Sequence, residues 1–210
     1  MTKKEKKGGF VKQAAILAAA SLLVRVLGFL YRLPLTDMIG NEGNGIYSAG
    51  FYLYNMFLIM SSAGLPVAIS RMVAERLALG EYQNAKKVFR VSMTTASALG
   101  FICMMIMLIF AGSFCRIIKS ERSFYCILTL APTVFIVSIM AVYRGYFQGF
   151  GTTVPTAVSQ LIEQVFNAAF SVIMAWYLMK VMSGDKIAWG AAGGTAGTGI
   201  GAFAGLVTLA

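Results

Sequence analysis

Only 12% of the 210 residues are charged and 58% are hydrophobic, about half the charged fraction of a soluble domain. The apolar runs are continuous rather than alternating, which argues against a β-barrel and for an all-α, polytopic membrane bundle. The net charge of +10 gathers in the N-terminal tail and one loop, so it reads as membrane orientation and not as nucleic-acid binding. No histidine is present, and Cys103, Cys115 and Cys126 have no metal-type spacing, which leaves no ground for a metal, a cofactor or an enzyme.

The tail at 1–9 contains MTKKEKK and reads as a retained cytoplasmic segment, because no small-residue cleavage site follows it. The first span covers about 10–35. Ser21, Arg25, Gly28 and Arg32 recur at helical spacing on one face, together with Ala14 and Ala18. Arg25 lies roughly 22 Å along the helix from Phe10. It either snorkels towards the far leaflet or faces a wet cavity. Two arginines on one face favour the cavity.

The connection at 36–45, TDMIGNEGNG, is acidic through Asp37 and Glu42. A second span over 46–69 has an interrupted polar face with Ser48, Tyr52, Asn55 and Ser62, and a kink is expected at Gly64 and Pro66. In 71–90, Arg71, Arg76, Lys86, Lys87 and Arg90 outweigh Glu75 and Glu81. This stretch reads as an amphipathic helix or helical hairpin, broken near Gly80, on the cytoplasmic surface. A topology anchor is the simpler role. Contact with anionic membrane lipid or a protein partner is the other.

The third span covers about 91–114 and the fourth about 124–147, which ends in Tyr143, Arg144 and Tyr146. Between them Arg116, Lys119, Glu121 and Arg122 give a net +2, against the orientation that the other loops indicate. The fifth span, about 155–180, opens on Pro155, well placed for a first helical turn. Thr156, Gln160, Glu163, Gln164, Asn167 and Ser171 fall in one sector about 100° wide. That face points to a bundle interior or to water, with interhelical hydrogen bonding as the simpler alternative. Glu163, an ionisable group at membrane depth, marks the face as functional, and Arg25 across the lobe is its expected charge partner. The sixth span, about 188–209, carries Gly193, Gly197, Gly201 and Gly205 at intervals of four, a pattern for close helix packing. The chain stops within this apolar run, so a longer protein is expected.

Three blocks carry a resemblance: RVLGFLYRLPLTDMIGNEGNGIYS, SSAGLPVAISRMVAE and YRGYFQGFGTTVPTAVSQLIEQVFN. With their spacing they resemble the polysaccharide-biosynthesis and lipid-flippase family, in the stage V sporulation protein B-like and lipid II flippase branch. That branch lies in the multidrug, oligosaccharidyl-lipid and polysaccharide exporter superfamily. The resemblance implies two lobes of about six helices each, with 10–210 as the N-terminal transmembrane lobe, working by alternating access. It implies a bacterial cell-membrane flippase of a lipid-linked cell-wall or polysaccharide precursor, lipid II or another undecaprenyl-pyrophosphate-type lipid. The N-terminus is cytoplasmic in this reading.

In the family, first-span cations meet the pyrophosphate. Arg25 matches that position, and Arg32 stands one residue out of register. The second span reads FLIMSSAGLP and lacks the further arginines of some relatives. Asn55, Gln160, Gln164 and Asn167 have the hydrogen-bonding chemistry a sugar headgroup needs, and Glu163 could balance the arginines or take a coupling proton or cation. Two alternatives stand beside this reading. One is a cation-coupled multidrug exporter, which the arginine face opposes. The other is a scaffold that recruits wall-synthesis or sporulation proteins through 71–90.

Overall fold

A computed structural model describes residues 3–210, with side chains from residue 13 onward. The side chains of the basic tail lie outside that range. The described chain is helical throughout, with no strand: α1 (Lys3–Ser62), α2 (Leu65–Ala78), α3 (Tyr82–Ile117), a 3-10 turn (Glu121–Ser123), α4 (Phe124–Gly149), α5 (Val154–Val181) and α6 (Lys186–Val207). Among the described residues, four stretches are long and apolar enough to cross a membrane: Gln13–Ala78, Tyr82–Ile117, Glu121–Gly149 and Val154–Val181. The expected count of six differs from this at two places. The first two expected spans run on as one helical stretch. α6 falls short in hydropathy because most of it is glycine and alanine, which add helix length with little apolar surface.

The acidic segment at 36–45 forms no loop. Helical turns continue through it, redirected at Gly40, whose φ of 68° and ψ of −177° leave the helical region. Glycine takes this conformation without the Cβ clash that any other residue would meet. At 63–64 the chain breaks outright where a kink is expected. Gly64 adopts φ 83° and Pro66 opens α2, so the backbone turns and restarts with a residue whose missing N–H costs nothing there. A third glycine, Gly80 with φ 75°, separates α2 from α3.

Packing follows side-chain size. α6 lies along α5 on its glycine seam. A Cβ at Gly193 would come within 2.5 Å of the Ala175 nitrogen, and one at Gly205 within 3.1 Å of Glu163 Cβ. Gly197 rests on Ser171, and Gly201 on Asn167 and the Glu163 carbonyl. The two backbones touch, antiparallel, over the length of the seam. Gly145 and Gly149 likewise seat α4 on Pro66 and Val73 of α2. The larger cores form where bulk is available. Leu53, Tyr54 and Phe57 pack with Met107, Ile127 and Leu130, and Leu35, Ile39 and Tyr47 with Ala175 and Ala191.

Polar ties hold the two ends of the bundle. At one end Arg122 pairs with Glu42 of α1 and, at 2.9 Å, with Asp185 before α6. The 116–122 connection is therefore less basic in space than in sequence. At the other end the Thr153 hydroxyl donates to the Gln13 carbonyl (2.8 Å), and the Thr153 N–H donates to Gln13 Oε1 (2.9 Å). This joins the start of α1 to the α4–α5 turn.

Candidate functional site

The polar sector of α5 divides into two environments. Towards its start, Gln160, Glu163 and Gln164 face α1 and the end of α4, where a cavity of about 320 Å³ opens. Ser21, Val24 and Arg25 form its α1 wall, and Arg144 enters from α4. Gly28 makes room for this approach, since a Cβ there would lie 3.2 Å from Gln164 Nε2.

Glu163 is paired within this cavity, and its partner is Arg144 rather than Arg25. Arg144 Nη2 donates to Glu163 Oε2 at 2.7 Å, and Arg144 also reaches Ser159 Oγ at 3.2 Å. The Ser159 hydroxyl in turn donates a hydrogen bond to the Thr156 carbonyl, 3.0 Å away. The two charged side chains are only 15% and 25% exposed. Removing either would leave the other charge partly desolvated and unpaired. Two guanidiniums and one carboxylate leave the cavity formally positive by one charge. Among the described residues no carboxylate pairs with Arg25. Gln160 Oε1 is buried without a hydrogen-bond partner, an acceptor that a bound hydroxyl or water would satisfy.

Farther along α5 the polar groups turn to α6. Asn167 Oδ1 accepts from Ser171 Oγ (2.9 Å) and lies 3.3 Å from Thr198 Oγ1. Ser171 Oγ also lies 2.7 Å from the Gly194 carbonyl. This stretch carries the interhelical hydrogen-bonding role expected as the simpler alternative, and Asn167 is buried there, away from the cavity. Arg32 sits two helical turns past Arg25. Its guanidinium lies 5.8 Å from the Tyr47 ring centroid, and it does not line the cavity. Asn55 borders a separate apolar groove with Tyr52, Met56, Ile59 and Phe114. Of the seven sequence candidates, Arg25, Gln160, Glu163 and Gln164 come together, while Arg32, Asn55 and Asn167 stand apart.

Arg144 is the residue that sequence reasoning missed. Its position at the end of an apolar run suggests an interfacial anchor. The usable signal was its isolation: it is the only charged residue in α4, as Glu163 is the only carboxylate in α5. Both lie within about three turns of the connection between those helices, so an antiparallel hairpin brings them to similar depth.

Residues 10–208 match the family model described as polysaccharide biosynthesis protein. Stage V sporulation protein B of Bacillus subtilis (strain 168) is 38% identical over 157 residues, covering 74% of this chain and 30% of that protein. Lipid II flippase MurJ of the same organism is 31% identical over 204 residues, covering 92% of this chain and 37% of that protein. The sporulation protein YkvU, also from B. subtilis, is 23% identical over 176 residues, covering 82% of this chain and 38% of that protein. The chain thus spans about a third of the length of these curated relatives. No solved structure gives a significant match. The family match over nearly the whole length, together with apolar helices able to cross a bilayer, identifies the chain as a multi-pass membrane protein of the polysaccharide biosynthesis protein family.

Proposed function

We propose that this chain is the N-terminal, six-span lobe of a transporter, not an enzyme, that flips a lipid-linked cell-wall or polysaccharide precursor by alternating access. The observation that carries the reading is the positively charged cavity in which Arg25, Arg144, Gln160, Glu163 and Gln164 converge. Arginine presents a planar fork of donors that suits a pyrophosphate, and the neighbouring amides suit sugar hydroxyls. At about 320 Å³ the cavity lies at the small end for ligand sites. In this reading it is one wall of a larger chamber, with the facing wall supplied by sequence that the longer relatives possess. Glu163 holds Arg144 when substrate is absent. The name of one relative, a lipid II flippase, supports a lipid-linked precursor as the substrate class, and an undecaprenyl-pyrophosphate-type lipid is the substrate we infer.

The basic 71–90 segment and the N-terminal tail put both on the cytoplasmic side in this reading. The test is Arg25→Ala in the complete protein, followed by a headgroup-accessibility assay in vesicles. Transport should be lost while expression and thermal stability stay at wild-type level. Normal flipping by this variant would overturn the site. Drug efflux with no effect on wall precursors would replace the reading with that of a multidrug exporter.

A further inference from the structure

The α2–α3 hairpin carries a second cavity, unconnected with the first. It is a groove of about 370 Å³ whose apolar floor is Met72, Val88 and Val91, with Arg76, Asn84 and Lys87 at its mouth. We propose that this groove binds an anionic phospholipid, with its headgroup phosphate on Arg76 and Lys87 and an acyl chain along the apolar floor.

Three observations carry the assignment. First, the groove has a fixed cationic wall. Arg76 Nη1 donates to Glu81 Oε2 at 3.0 Å, and Asn84 Nδ2 donates to the same oxygen at 2.9 Å. Hydrogen bonding by Asn84, and then by Arg76, holds the Glu81 carboxyl below its ordinary range, so it stays an acceptor that orients the guanidinium. The remaining Arg76 donors are available to a phosphate. Lys87 has no carboxylate partner among the described residues, so with Glu81 offsetting Arg76 the groove is formally positive by one charge.

Second, the groove lies at headgroup depth. Residues 91–115 contain no charged side chain. At 1.5 Å per residue they span about 37 Å, more than the roughly 30 Å hydrocarbon core of a bilayer. Lys87, four residues before this run, therefore stands at the boundary. Third, the floor leads from that boundary towards the membrane-spanning part of α3. Val91 is 58% and Met72 43% exposed, an apolar surface beside a cationic rim. A phospholipid supplies the matching anion and alkyl chain in one molecule. A topology anchor needs only the charge and has no use for the groove.

The experiment uses the complete protein in detergent, with phosphatidylglycerol binding followed by native mass spectrometry. Each groove cation contributes about fivefold in affinity. Arg76→Gln with Lys87→Gln should weaken binding about thirtyfold, whereas Arg71→Gln with Lys86→Gln, outside the groove, should change it less than about threefold. Ser92→Trp, which fills the groove and keeps both charges, should also remove the tight site. Equal losses in the two double variants would mean diffuse surface attraction and overturn the proposal. So would unchanged binding by Ser92→Trp, equal competition by phosphatidylcholine, or displacement by chainless glycerol phosphate as effective as that by lipid.

Discussion

From 156 to 164 the polar side chains of α5 look towards α1 and the end of α4, and two buried oxygens there, Thr156 Oγ1 and Gln160 Oε1, have no partner. From 167 to 175 the same helix looks into α6, and Asn167 and Ser171 are engaged with each other and with Thr198 and Gly194. One periodic pattern thus serves two ends. Where the neighbour is a glycine-faced helix, the backbones close up and the polar groups are spent on each other. Where the neighbours carry Arg25 and Arg144, space remains; Arg144 holds Ser159 and Glu163, while Thr156 Oγ1 and Gln160 Oε1 have no partner. The identity of the facing helix, and not the polarity of α5, separates the positions engaged with α6 from those that line the cavity.

The strongest way to break this contrast is to prop open the closed stretch. Gly201→Leu would drive a side chain into Asn167 and the Glu163 carbonyl. It should cost about 3 kcal/mol or more, read as a sharp fall in thermal stability of the complete protein in detergent. Wild-type stability would mean that α5 and α6 do not rely on this seam. Next comes the ion pair. Arg144→Ala should cost about 2 kcal/mol by leaving Glu163 partly desolvated and unpaired, and adding Glu163→Ala should recover about half of that loss. A double-mutant cycle with no coupling would separate the two groups.

Smaller effects sharpen the division of α5. Asn167→Ala should lower stability by about 1 kcal/mol and leave transport intact once the protein is folded. Gln164→Ala should do the reverse, shifting stability by less than about 0.5 kcal/mol while lowering transport in the same vesicle assay. If the two variants exchanged these behaviours, the assignment of the two stretches would be inverted.

Much of this was legible in the residues. The glycine spacing of α6, the polar sector of α5 and the turn at Gly80 are periodic or punctuating features, and such features depend on local chain geometry. Partner choice was not legible. Arg25 and Arg144 are both cations near the right depth, and only the arrangement of α1, α4 and α5 around the cavity decides which one meets Glu163. Asn55 and Asn167 failed to join the cavity for the same reason, because periodicity gives a residue's face and not the neighbour it faces. The segment at 36–45 was misleading in another way. Its charges and glycines have loop composition, yet Glu42 is held by Arg122 and Ile39 and Ile46 are buried in a core, so tertiary contacts keep it helical.

The Gly40 junction has a mechanical consequence. Helical turns flank it on both sides with only that residue outside helical geometry, so the part of α1 that carries Arg25 and the part that carries Tyr47 and Tyr54 are joined through the two backbone torsions of one residue. With those torsions held, rotating the first about its own axis would swing the second like the arm of a crank. A ligand that pulls on Arg25 would therefore move the opposite end of the bundle, where Glu42 sits in its clasp with Arg122. Lengthening the junction by two glycines should uncouple those movements, leaving ligand capture intact while stalling turnover, a combination that no substitution within the cavity should reproduce.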